Sequence, residues 1–355
     1  MNLMKGVHIK ALLLLSVCLY SYINISAQVA GCPDPAANNY NALATVNDGS
    51  CTYNNTSVTP VLKTNLSTTV NETSGLLWWN KQVWTHNDSG GEKDLYTSDS
   101  TNGNILKTIA LSKGNNVDWE DIAQDNKFFY VGDFGNNKNG NRTNLRIYRI
   151  KKSELKTLTT VKPGVIKFSY SDQTDFTPKG SNNTNFDCEA LIAYGDSLFL
   201  FSKDWVDNKT RLYKLPKLPG TYVAQNIGEL KVGGLVTGAE VIPDKKVIVL
   251  TGYNALLSPF IYLLYDFTGN HFFDANKRKV TINQGFLQME GICAVSGTRF
   301  FISNERLSNI VPAKLQAIDL SALLNPYYSK LQGLKSKAAP MATNKFQSHI
   351  PTAIK

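Results

Sequence analysis

Residues 120–133, EDIAQDNKFFYVGD, hold a Glu, a short apolar run, a turn at Asp125-Asn126, and an aromatic-rich run that ends in polar residues. Two short β-prone runs joined by turn residues read as a hairpin. The same unit recurs behind Glu72, Glu189, Glu240 and Glu290, so the leading acids are spaced 48, 69, 51 and 50 residues apart. Their turns fall at Asn80-Lys81, Gly195-Asp196, Asp244-Lys245 and Ser296-Gly297, with second runs starting at Val83, Leu198, Val247 and Arg299. Third runs follow at Leu95, Leu145, Arg211, Phe260 and Lys314, and fourth runs at Ile105, Val165 and Lys279.

Four antiparallel strands per unit of about 50 residues is the pattern of a β-propeller blade. The expectation is therefore an all-β chain: a β-propeller of five blades, each of four antiparallel strands, with six blades as the alternative and a β-sandwich third. The polar stretch from Asp172 to Asn185 fills the long interval. The last unit lacks a fourth run, whereas the segment from Val61 to Val70 precedes the first Glu. That segment is expected beside Lys314 to Asp319, where it would close the ring and hide its open edges.

In a hairpin the start of the first strand and the end of the second lie at the same end. Glu72, Glu120, Glu189, Glu240 and Glu290 are thus expected around one mouth of a central channel, as metal ligands. Carboxylates crowded together need protons, a basic partner or a cation. Hard oxygen donors in an exported chain favour Ca²⁺. The structural alternative is that each Glu accepts N–H groups from the neighbouring blade, with Arg142, Lys203 and Arg306 balancing the surplus charge.

The polar strand ends nominate Asn87, Asn136, Asn137, Arg142, Lys203, Asp204, Asn254, Asn304 and Arg306 as ligand-binding residues. In any propeller such positions also serve as solvated turns. Candidate catalytic bases are Asp133, Asp88 and His86. His86 is the histidine expected on this face, and no Gly-x-Ser-x-Gly elbow supplies it with a nucleophile. Cys188 and Cys293 read as buried thiols. Trp119 and Trp205 read as packing residues or as walls of the pocket.

The ends of the chain speak to its destination. Lys5 and Lys10 precede an apolar run from Ala11 to Ile23, and Ile25-Ser26-Ala27 offers small-residue cleavage chemistry, so residues 1–27 read as a signal peptide. The apolar run is shorter than the ~20 residues a bilayer span needs. Residues 28–56 read as a small Cys-bounded module with a Cys32–Cys51 disulfide, 57–329 as the propeller, and 330–355 as a basic flexible tail. The formal charge of +9 resides mostly at these ends, since the leader holds two lysines and the tail five with no acid. The body is left near +2, which argues against nucleic acid as a partner.

The segment GCPDPAANNYNALATVNDGSC, residues 31–51, resembles the small thrombospondin type 3-like calcium-binding repeats of secreted bacterial proteins, most specifically in Asn47-Asp48-Gly49-Ser50-Cys51. A disulfide-stapled knot without a ligand is the alternative. ETSGL (72–76) with HNDSG (86–90), DWEDIA (118–123) and GDFGNN (132–137) followed by Asn141-Arg142 together look like a family of secreted bacterial β-propellers. More distantly, Glu290-Gly291 is similar to phytase-like esterase, lactonase and paraoxonase propellers, which hold Ca²⁺ in the central channel and hydrolyse esters or lactones. Calcium-activated nucleotidases offer a five-bladed parallel. These resemblances imply Ca²⁺ on the five Glu.

Two functions are thereby expected of a bacterial protein that is secreted, periplasmic or held at the cell surface, and monomeric. One is binding, without catalysis, of a polar small molecule, a glycan or an envelope component. The other is Ca²⁺-dependent hydrolysis of phosphate esters, lactones or carboxylic esters.

Overall fold

The computed structural model describes residues 28–338, and side chains through residue 333. The leader at residues 1–27 and the last part of the tail lie outside the described residues. The protein is all-β, built of several sheets. Second strands such as Phe128–Asp133, Ser197–Ser202 and Val247–Tyr253 are buried almost throughout, which is why they read as unbroken apolar runs. Fourth strands such as Gly164–Tyr170 alternate toward their ends between buried and exposed, because one face meets water.

Each repeat contributes four antiparallel strands, except the last. The fifth sheet runs Met289–Ala294, Arg299–Asn304, Lys314–Asp319 and then Val61–Asn65, the N-terminal strand pairing antiparallel with Lys314–Asp319. The strand stops at Asn65, and Thr68–Val70 is a short 3-10 helix. Two further differences from a set of separate four-stranded sheets are evident. The first and fourth units gain a fifth strand in parallel, Thr160–Val161 and Thr56–Val58 respectively. The second and third units fuse into one eight-stranded sheet, because Gly164–Tyr170 and Gly220–Leu230 pair in parallel along their outer edges. That sheet is nearly closed: its end strands Trp119–Gln124 and Cys188–Tyr194 return side by side, and Asp121 Oδ2 accepts the Leu191 N–H at 2.8 Å.

First strands thus lie against one another in a cycle: Thr73–Trp79, Trp119–Gln124, Cys188–Tyr194, Leu235–Ile242, Met289–Ala294, and back to Thr73–Trp79. Their approach is close. A Cβ on Gly75 would stand 2.5 Å from the Ile122 nitrogen of the neighbouring strand, so no larger residue fits there. The core lies between adjacent sheets, as where Phe199 and Phe201 of the third unit meet Ile248 and Leu250 of the fourth.

The expected tail boundary at residue 330 falls inside a helix, Ser321–Ala338. Leu324 and Tyr327 pack into the core between the fourth and fifth units, the Tyr327 hydroxyl donates to Lys245 O at 2.9 Å, and Lys330 pairs with Asp266 at 2.8 Å. No helix among the described residues is long and apolar enough to cross a membrane.

The Cys32–Cys51 disulfide is formed. Its module rests on the fourth sheet, where Asp34 Oδ2 accepts from the hydroxyls of Tyr53 at 2.7 Å and Tyr265 at 2.6 Å. Asn47 and Asp48 each cap a backbone N–H two residues on, so the most specific part of the calcium-repeat resemblance forms overlapping turns. A crosslink over this sequence separation of 19 contributes about 3 kcal/mol through loop entropy. Replacing both cysteines by serine is expected to lower stability by about that amount, read as a lower midpoint in denaturant unfolding, and adding reductant to the unaltered protein should reproduce the loss.

Candidate functional site

Each first strand is paired with its second through one irregularity, a bulge near its start. The paired residues flanking it are Thr73 and Leu76, Trp119 and Ile122, Cys188 and Ala190, Val236 and Gly238, Met289 and Gly291. Ser74, Glu120, Glu189, Thr237 and Glu290 fall within these bulges, at corresponding positions of the five units. A bulge re-aims the side chain it carries. The correspondence reads TSGL, WEDI, CEAL, VTGA and MEGI.

This register corrects the expected five-Glu ring. Glu120, Glu189 and Glu290 converge, lining one cavity of ≈ 230 Å³ together with Ser74. Glu72 lies two residues ahead of its bulge and is exposed, in a separate hollow with Asn87 and Arg306. Glu240 lies three residues beyond its bulge and lines the cavity at the turn end of the hairpins. Its carboxylate accepts the N–H groups of Val241 at 2.9 Å and Ala294 at 3.0 Å. Matching the units by their glutamates, rather than by strand register, misplaced both residues.

The position two residues ahead of each bulge supplies Asp118 and Asp187, which sequence reading passed over. The repeated Asp-x-Glu of Asp118-Trp119-Glu120 and Asp187-Cys188-Glu189 was the available signal. Second strands deliver Asp88, Lys203, Tyr253 and Glu305 from their ends, all lining the same cavity. The second unit leaves space there. A Cβ on Gly135 would stand 1.9 Å from Glu120 Oε1 and 2.5 Å from Asp118 Oδ2, so only glycine tolerates the acids above it.

Oxygens of Asp88, Asp118 and Glu120 lie within 4.8 Å of one another, as do those of Glu120, Asp187 and Glu189. Glu120, Asp187 and Glu189 are 3%, 0% and 2% exposed. The buried cation among them is Lys203, whose Nζ lies 3.1 Å from Glu189 Oε1 and leans over the rings of Trp205 and Tyr253. Arg142 reaches only the edge, 4.0 Å from Asp118. Asp88 Oδ1 and Glu290 Oε2 are buried with no hydrogen-bond partner.

Burial, then the charge of neighbouring acids, pushes Asp88 and Glu120 well above the usual carboxylate range. The same two causes raise Asp118 to about 6 and Asp187 to about 8, Lys203 opposing the rise at both. Burial also raises Glu290 and Glu189, against the pull of Lys203. Such a set of hard oxygen donors is able to hold a metal ion.

Asn137 and Lys203 line the cavity as expected for ligand-binding residues. The other nominated residues are engaged elsewhere. Asn136 donates to Phe186 O, Asn304 donates to Glu305 O and Pro312 O, and Asn254 closes a turn on Leu256 and Ser258. Asp204 is buried against Arg211, and Arg306 caps Ser308 O. Of the candidate bases, Asp88 alone borders the cavity. Asp133 is fully buried and clamped by Arg142 at 2.7 Å and Arg146 at 3.5 Å. His86 is fully buried edge-on to Trp119, with burial pushing its pKa down to about 4.

No family model matches the chain, and no curated protein does. Among solved structures, a chain in the "Crystal Structure of Mitotic Checkpoint Complex" aligns at a TM-score of 0.31 and 14% identity, over 68% of this chain and 62% of that one. A likeness at that level carries no argument about fold or function.

The acids set a pH dependence. Against 3.8 in an unfolded chain, Asp118 and Asp187 titrate at about 6 and about 8 when folded. The folded state therefore holds more protons than the unfolded between about pH 4 and about pH 8, so stability falls as pH rises through that window. A bound cation would take the place of those protons and flatten the slope. Thermal melts of chelator-treated protein should show a falling midpoint from about pH 5 to about pH 8, and melts in excess calcium a smaller fall.

Proposed function

We propose that the chain is an exported five-bladed β-propeller whose acidic mouth holds Ca²⁺ and captures a polar, oxygen-rich ligand without catalysis. The cycle of first strands and the N-terminal strand that completes the fifth sheet support the propeller reading. The disulfide fits an oxidising compartment, as the expected leader does.

One observation carries the cation: Asp88, Asp118, Glu120, Asp187, Glu189, Glu290 and Glu305 gather about a single buried lysine, with oxygens of Asp88 and Glu290 unpartnered. Oxygen-only donors of flexible geometry suit Ca²⁺ better than softer metals. With Lys203 and the walls of Trp205 and Tyr253, the ion would present a ligand with positive charge flanked by aromatic faces. Binding is preferred to turnover because Asp133 and His86 are locked away from the cavity. Hydrolysis of a phosphate ester, lactone or carboxylic ester is the second reading. Asp88 favours it, as a carboxyl at the cavity wall whose Oδ1 is unpartnered.

Elemental analysis of the purified protein should find calcium, and chelation should lower the thermal midpoint. Glu120→Gln is expected to weaken calcium about tenfold or more, whereas Glu72→Gln should leave it unchanged. Protein that contains no calcium and melts identically with and without chelator would sink the cation site. Turnover of model esters that is lost in Asp88→Asn would move the assignment to the hydrolase.

A further inference from the structure

The central channel has a second mouth, at the turn ends of the hairpins. Gln124, Ala193, Val241 and Ala294, from four of the five first strands, line a cavity of ≈ 910 Å³ there. That volume suits a small-molecule site. Two carboxylates in its wall are already satisfied. Asp125 accepts from Lys217 Nζ at 3.0 Å, from the Tyr130 hydroxyl at 2.8 Å and from the Lys127 and Phe128 N–H groups. Glu240 takes the two backbone N–H bonds described above. Asp196 stands exposed at the rim.

Two cations of the wall form no ion pair among the described residues. Arg149 lies over the Phe128 ring, its Cζ 3.5 Å from the centroid, and its Nε is buried with no hydrogen-bond partner. The guanidinium is near the Tyr130 hydroxyl, and it has no carboxylate within ion-pairing distance among the described residues. Lys152 donates to Gln124 Oε1 at 2.6 Å and lies over Phe129 at 5.4 Å. Burial holds its ammonium below the usual lysine range, at about 8, even against the pull of Asp125 and Glu240, and a bound anion would offset more of that cost. Phe128, Pro216, Leu218 and Val295 add apolar surface, with Leu218 60% exposed.

We infer that this second mouth binds a small organic anion, its carboxylate or phosphate group held by Arg149 and Lys152 and its apolar body lying against Phe128 and Leu218. A guanidinium fixed on an aromatic face is a preorganised donor for planar or tetrahedral oxyanions. The inference is independent of any cation at the acidic mouth.

Calorimetric titration of the full mature chain with phenylphosphonate, benzoate and inorganic phosphate tests it. Phenylphosphonate or benzoate should bind at one site per chain, and more tightly than inorganic phosphate because the ring contributes. Arg149→Gln and Lys152→Gln should each weaken binding about tenfold or more, with thermal melts confirming that each variant is folded. Chelator should leave the affinity for these anions unaltered. No binding by any probe would overturn the inference, as would affinity unaltered in both folded variants. Binding abolished by chelator would overturn it by placing the anion at the acidic mouth.

Discussion

Five carboxyl groups line one small cavity with one buried ammonium group, two more, Asp118 and Asp187, stand beside Glu120, and this imbalance governs the arrangement of that end of the molecule. Charges withdrawn from water interact far more strongly than they would at a surface. Like charges so placed must recruit protons or positive charge. The upward shifts at Asp88, Asp118, Glu120 and Asp187 state that demand in terms of protons. A rigid scaffold has to hold the acids together against their repulsion, and the bulged starts of the first strands do so. Ser74 and Thr237, at the same bulge position, use short hydroxyls to bond the neighbouring unit through Glu120 O and Met289 O. Two of the five positions thus fasten units together and three project acids.

The first strands put carboxylates to two uses. Asp121 accepts N–H groups from Ile122, Leu191 and Ala239, and Glu240 from Val241 and Ala294, so each ties its own strand to other first strands. Among the described residues no backbone N–H donates to the side chains of Glu120, Glu189 or Glu290. The structural reading of a buried acid therefore holds for Asp121 and Glu240, while the ion-holding reading is left for acids at the mouth. The sequence allows both uses to all five glutamates alike, and the difference lies in which residues the register brings opposite a free amide.

That register explains what could be read from the sequence. Apolar runs separated by turn residues mark strands because burial on both faces demands apolar side chains at nearly every position, and Val247–Tyr253 shows this plainly. The partner of Val61–Asn65 follows from counting strands, since a unit short of one strand needs another. Pairing across a bulge leaves no such mark. A shift of two or three residues separates Glu72 from Ser74 and Glu240 from Thr237, and nothing in residue type alone reveals it. The Asp-x-Glu pairs were visible but carried meaning only once both positions were known to lie beside one another at the cavity. His86 and Asp133 show the converse: each is polar and near a strand end, yet alternation turns each into the core between sheets.

Lys203 does not remove the demand for positive charge. It is committed to Glu189 and boxed by Trp205 and Tyr253, so its charge is fixed on one side of the cavity. Unpartnered oxygens lie on Asp88 and Glu290, from the first and fifth units, and Glu120 belongs to both triads of closely spaced acids. A divalent ion contacting Glu120 would draw on either triad, yet its two charges and that of one lysine offset only part of the negative charge of the seven carboxylates. Some must keep protons even when an ion is bound, since burial and neighbouring acids raise Asp88 and Glu120 well above the usual carboxylate range and Asp187 to about 8, the last against the bonds it accepts from Asn136 and Trp205. Were the proposed cation to bind at this mouth, its binding and the release of protons would be parts of a single equilibrium, and the lysine beside Glu189 would bias where the ion sits.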